Sequence, residues 1–314
     1  MYFPIIRGRQ YDLLALRELK SSGLLSNKII PIIEPIKMSS TLNSIIHLFR
    51  EDHSQLVIIV NPKVGSFMGD LDSPTIKAQF HAMLNEENVT PAYYFSENAE
   101  AEIKEITTEF DIELNDLVII HSERNLVPLY QRIFEGVFPM YNAIPFSNSF
   151  RRPLYGQNLV GYADKFNKLL RNADYLDRID EFYSDDHIYY KDDDYIGFSD
   201  YSTVGADYNE GGFAPYAVAF HIVYFDLEKN LNIMHFVSET NNDISDPANK
   251  FSEALEKFVL WYRDFEHFKV ETRAIKILLE HHRNGTYPGL PTLKKLSIMH
   301  HLELIGTYLE SGGE

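Results

Sequence analysis

Short apolar runs alternate with helix-patterned segments from residue 2 to about residue 200, and this alternation leaves few folds open. The runs are Tyr2–Ile6, Ile29–Ile36, Leu56–Val60, Ala92–Phe95, Leu117–Ile120, Ala143–Phe146 and Tyr195–Phe198. Because they do not alternate between apolar and polar residues, they have the pattern of strands buried on both faces. Between the first two, Leu13, Leu14, Leu16 and Leu19 share one helix face that stops at Gly23. Leu42, Ile45, Ile46 and Phe49 repeat the design, and 74–85, 98–110, 124–136 and 158–182 read as further helices, with Pro74 in a first-turn position. Strand followed by helix, six or seven times, predicts a parallel sheet with helical crossovers. An unbroken series of such units in a 314-residue chain favours a (β/α)8 TIM-barrel-like fold over its competitor, an open doubly wound sheet.

The pattern changes after residue 198. Phe213–Phe225 and Leu231–Val237 flank the polar turn Asp226–Asn230, which predicts a β-hairpin modifying the last βα unit. Helical spacing returns over 247–267, about 270–283 and 291–310. We therefore expect a barrel-like domain over 1–268 and a C-terminal helical appendage, 269–314, packed on it.

With 45% hydrophobic residues the chain can bury a large core, and dominant disorder is excluded. It has no cysteine, so thiolate nucleophiles, disulfides and cysteine-held metals are excluded too. The longest apolar runs fall far short of the roughly 20 residues that span a bilayer. The N-terminus lacks the charged region and long apolar stretch of a signal peptide, and a cytoplasmic location is the expectation. A net charge of −17 argues against broad nucleic-acid binding, which needs cations to displace counterions, and suits a basic protein partner.

That charge is unevenly spread. Residues 181–210 carry nine acids and one base among eight aromatics, whereas residues 1–50 carry seven bases and three acids. Carboxylates beside tyrosines can steer and then bury a basic surface, which makes Asp185, Asp186, Tyr189, Tyr190, Asp192, Asp193 and Asp194 the candidate partner-binding residues. A solvated loop whose aromatics fold back on the barrel is the competing explanation.

In a parallel barrel, the residues just past the C-terminal ends of the strands converge on the functional face. Those positions hold Arg7, Arg9, Asn61 and Lys63 as candidate ligand-binding residues, and Glu34, His121 and Asp200 as a candidate acid–base set. Structural capping competes with both roles, because chain turns need polar partners anyway. Glu34 lies inside an apolar run, and Arg7 on the adjacent strand is its expected partner. No dedicated metal site or cofactor motif is found; a carboxylate–histidine trio at the mouth leaves magnesium as the one ion to consider.

Three stretches carry a family resemblance: Met1–Gln10 followed by Ala15–Leu19, Pro31-Ile-Ile-Glu-Pro35, and Gly212–His221. They resemble the beta family proteins, named after a T-even phage protein. The resemblance implies a phage-related or antiphage-defence-type setting, in which some bacterial members lie beside a nuclease-like gene, and it assigns no catalytic residue. Two expectations follow. One is a non-catalytic binding or regulatory protein that docks a basic partner such as a nuclease. The other is a barrel enzyme acting on a phosphorylated or otherwise anionic small molecule or nucleotide.

Overall fold

The computed structural model describes residues 1–209, 215–264 and 270–312. Its strands are β1 (Ile5–Arg7), β2 (Ile32–Glu34), β3 (Leu56–Ile59), β4 (Val89–Tyr94), β5 (Val118–Ile120), β6 (Tyr141–Pro145), β7 (Leu159–Tyr162), β8 (Asp180–Ser184), β9 (Gly197–Ser199), β10 (Ala219–Phe225) and β11 (Leu231–Val237). Its α-helices are α1 (Gln10–Ser21), α2 (Ser40–Glu51), α3 (Phe67–Asp70), α4 (Pro74–Leu84), α5 (Ala99–Phe110), α6 (Val127–Ile133), α7 (Asn148–Arg151), α8 (Asp186–Tyr189), α9 (Pro247–Asp264), α10 (Arg273–Asn284) and α11 (Leu290–Glu310). The chain divides into two compact units.

The first unit comprises residues 1–13, 27–163 and 189–200. It holds eight parallel strands in the order β1-β2-β3-β4-β5-β6-β7-β9. A parallel bridge between Tyr2 and Phe198, with backbone bonds from Phe3 N to Phe198 O and from Ile5 N to Asp200 O, joins the last strand to the first. The sheet is therefore a nearly closed (β/α)8 barrel, and closure removes the exposed edges an open sheet would have. Local chemistry sets the helices between the strands. Ser39 caps α2 by accepting from Leu42 N at 3.2 Å, and Leu42, Ile45, Ile46 and Phe49 form its buried face. In α5, Asp111 closes the C-terminus in the left-handed region at φ 55°.

Register decides which side chains enter the barrel. Ile5 and Arg7 pair with Ile32 and Glu34, Ile32 with Val57, and Val57 and Ile59 with Thr90 and Ala92. Ala92 and Tyr94 pair with Val118 and Ile120, and the series runs on through Ala143, Val160 and Gly197. Successive side chains on a strand point to opposite faces, so this set shares one face. Phe3, on the same face, meets the ring of Tyr141 from β6 at 5.1 Å, a contact that β1 and β6 can make only across the interior. The opposite set, including Tyr93, Ile119, His121 and Asn142, faces the helices: Tyr93 bonds Glu102 on α5, and His121 packs against Tyr130 on α6.

The second unit comprises residues 14–26 and 164–188 together with the described part of 201–314. Its core is a three-stranded antiparallel sheet in the order β10-β11-β8. One face carries Phe220 and Phe236 against Phe258 and Trp261 of α9. Thr272 caps α10 by accepting from Ile275 N, and Gly285 closes it at φ 58°. Leu293, Leu296, Met299, Leu302 and Ile305 are buried along α11. No helix among the described residues is long and apolar enough to cross a membrane.

Two sequence expectations need correction or completion. Residues 158–182 are not helical: they contain β7, an irregular segment, a 3-10 turn over Asn172–Asp177 and the start of β8. The apparent helical spacing was misleading because Leu170 is 95% exposed, while Gly161 marks a strand on which Phe146 packs where a Cβ would stand. Tyr195–Phe198 thus belongs to the eighth barrel strand. The expected hairpin forms as β10 and β11, joined by β8. The expected boundary at 268/269 lies outside the described residues, as do Phe213, Glu210 and the start of the Gly212–His221 stretch.

Candidate functional site

At the C-terminal end of the barrel strands, the interior parity set ends in charge. Arg7 and Glu34 are register partners and form a buried ion pair, with Glu34 wholly inaccessible and Arg7 7% exposed. Glu34 Oε2 also accepts from Tyr94 Oη at 3.0 Å, and Oε1 accepts from the backbone N–H of Lys63 at 2.9 Å. Removing a carboxylate from water costs several kcal/mol, and this set of donors offsets that cost. Asn61 holds Tyr94 in place through both its backbone N–H (2.8 Å) and its carbonyl (3.0 Å). The Lys63 ammonium lies 4.9 Å from the centre of the Tyr94 ring. Arg9 is half-buried on the loop after β1.

The loop that brings Lys63 to Glu34 depends on Gly65. Its φ is +75°, and a Cβ there would overlap the carbonyl of Ile36, which already accepts from Ser66 N at 2.8 Å. Gly65→Ala is therefore expected to cost roughly 2–4 kcal/mol, from left-handed strain plus the clash. Thermal denaturation checks this, and a midpoint unchanged within error would contradict it.

His121 and Asp200 do not join this group. Both belong to the outward parity. His121 is 1% exposed among Phe95, Tyr130 and Phe150, with Nε2 3.0 Å from Asn142 Oδ1. Burial holds its pKa down to about 4, so it is neutral at pH 7. Asn142 in turn donates to Gln157, which accepts from Tyr130 as well. Asp200 is 4% exposed and accepts from Tyr2 Oη at 2.6 Å. Each polar group thus has a local structural function. The three sequence candidates stood at strand ends, but strand ends alternate in direction, and position along the chain alone did not separate the two faces. Tyr94 was not singled out. The run Tyr93-Tyr94-Phe95 holds the signal for it, because the middle of three consecutive strand residues points opposite to its neighbours. Among the described residues, no group of three or more His, Asp or Glu side chains is arranged to hold a metal ion.

The acidic segment is built differently along its length. Asp186 pairs with Lys165 at 2.7 Å, and Asp185 is half-buried. Beyond α8, a tight turn is fixed by bonds from Asp193 N to Tyr189 O and from Tyr195 N to Tyr190 O, with Asp194 in the left-handed region at φ 61°. Arg151 Nη1 donates to Asp193 O at 2.6 Å. Asp192, Asp193 and Asp194 remain exposed, as does Tyr189. Tyr190 and Tyr195 are buried; Tyr190 Oη accepts from the Met1 amino group, and Tyr195 packs on Phe146.

Among the described residues, two of the surface cavities flank the barrel, and Arg7, Glu34, His121 and Asp200 line neither of these two. One, of about 500 Å³, lies between α2 and α4 and includes Asn43, His47, Gln79 and Glu86. The other, of about 620 Å³, is walled by Tyr155, Gln157, Tyr190, Lys191, Asp194 and Tyr195. Its walls come from the segments that lead into β7 and β9, which is the N-terminal end of the barrel strands. The chain matches no protein-family model, and comparison with curated proteins and with solved structures finds no match.

Proposed function

We propose that this chain is a non-catalytic binding or regulatory protein of a phage-related or antiphage-defence-type system, one that docks a basic protein partner such as a nuclease through its acidic, tyrosine-lined surface. The observation that carries the reading is the 620 Å³ cavity: three tyrosine walls, a carboxylate from Asp194, and the exposed Asp192 and Asp193 beside it. Tyrosine faces and carboxylates together suit an arginine or lysine side chain, by cation–π contact and by ion pairing. The N-terminal face of a barrel is rarely catalytic, which favours binding there. Lys191 is the turn's single base, and its ammonium lies 5.7 Å from the centre of the Tyr190 ring. The enzyme alternative loses support because its acid–base candidates face opposite sides of the barrel wall. Resemblance to the beta family proteins and the cytoplasmic expectation are consistent with the proposal.

The test is affinity capture from the native host with the wild-type chain and with the triple variant Asp192→Asn, Asp193→Asn and Asp194→Asn. Asparagine is chosen because it tolerates the left-handed turn at 194. A basic partner is expected with the wild type and should be depleted at least tenfold with the variant. Equal recovery would remove the proposed docking surface.

A further inference from the structure

In the second unit, the face of the antiparallel sheet opposite α9 carries two histidines as direct register partners, His221 on β10 and His235 on β11. Their Nδ1 atoms are 2.6 Å apart, so one proton lies between them. On the far side of the His235 ring, Nε2 stands 3.4 Å from Glu181 Oε1 on β8. Among the described residues, neither of those two buried atoms makes a hydrogen bond, so this approach is the polar contact each has. Glu181 Oε2 is held by Asn167 at 3.2 Å and by Arg178 at 3.3 Å. Tyr175 and Phe166 cover the pair, with ring centres 4.8 and 5.0 Å from that of His221. Tyr175 Oη is engaged with the Leu169 N–H and the Asn167 carbonyl. His235 is 3% exposed, whereas His221 is only partly covered.

The shared proton has two possible owners, and Glu181 decides between them. If His235 carried it on Nδ1, its Nε2 lone pair would face a carboxylate, acceptor against acceptor. If His221 carries it on Nδ1, His235 is free to hold its own proton on Nε2 and donate toward Glu181. We infer that Glu181, His235 and His221 form a carboxylate–imidazole–imidazole chain that fixes both tautomers and leaves His221 Nε2 unprotonated, as a proton-accepting site for an O–H or N–H donor such as water or a hydroxyl. In the transfer, the donor's bond to hydrogen breaks and its electron pair stays on the donor. The proton goes to His221 Nε2, and the resulting imidazolium is balanced through neutral His235 by the Glu181 carboxylate. Burial lowers the proton affinity of both rings, so both are neutral at pH 7. A second proton has no place between the two Nδ1 atoms, because two N–H groups cannot face each other at this separation.

Nitrogen-15 NMR of the histidine rings in the full chain at pH 7 tests the assignment directly. The expected result is a protonated Nδ1 and bare Nε2 on His221, with the opposite on His235; the reverse tautomers, or protons on both Nε2 atoms, would overturn it. A second measurement follows carbethoxylation of individual histidines by diethyl pyrocarbonate, read by mass spectrometry. His221 should react faster than His235, and Glu181→Ala should slow it at least fivefold. An unchanged rate and unchanged tautomers in that variant would show that Glu181 does not set the chain.

Discussion

Replacing Arg7 with alanine is expected to lower the stability of the chain by about 3–5 kcal/mol, the usual loss when one partner of a buried ion pair is removed. Glu34 has no access to water, and Tyr94 Oη and Lys63 N–H are neutral donors that cannot balance its charge alone. Urea denaturation provides the check, through a shift in midpoint at constant slope. The double variant Arg7→Met with Glu34→Leu should lose much less than the sum of the single changes, because no charge is left stranded. A loss below about 1 kcal/mol for Arg7→Ala would place the pair in the class of surface ion pairs and contradict the geometry.

Acid should act on the second unit with comparable force. His187, His300 and His301 are buried there, and His300 shows why protonation is resisted. Its Nε2 donates to the Val223 carbonyl at 2.7 Å, so Nδ1 accepts from the Thr272 hydroxyl at 2.8 Å. Burial lowers the pKa of His187 and His300 to about 4 and of His301 to about 3, from an ordinary 6.5. The unfolded chain therefore takes up protons before the folded one. Stability is complete above about pH 6.5 and falls as pH drops toward 4, by about 2 kcal/mol per histidine at pH 5. Hydrogen exchange as a function of pH should show protection in α11 and β10 collapsing between pH 6.5 and 4.5. A protection profile flat over that window would contradict the neutral assignment.

Much of the fold was legible because strands buried on both faces are apolar without interruption, and amphipathic helices repeat between them. Leu56–Val60 and the α2 face Leu42, Ile45, Ile46 and Phe49 are clear examples. The strand at Leu159 was hidden: four residues with a glycine at the third carry little signal, and the following Phe166, Leu169 and Leu170 imitate a helical stripe. At the barrel mouth, the pairing of Arg7 with Glu34 was legible, since adjacent parallel strands bring equivalent ends together. The grouping of Glu34 with His121 and Asp200 was not testable from sequence, because it depends on strand parity around the barrel, and parity follows from registers that short runs do not reveal. The acidic segment showed its charge in the sequence but not its division, in which Asp186 is half-buried against Lys165 while Asp192–Asp194 are exposed, Asp193 at 3.7 Å from Arg151.

The exposed turn around Asp192–Asp194 and Tyr155 is proposed as a docking surface for a basic partner. Its most direct test is the affinity of the captured partner for the wild-type chain and for the triple asparagine variant, measured by calorimetry from 50 to 500 mM salt. Wild-type affinity should fall steeply with salt, and the variant should bind at least tenfold more weakly at low salt with a flatter dependence. Equal affinities and parallel salt dependences for the two proteins would contradict the account.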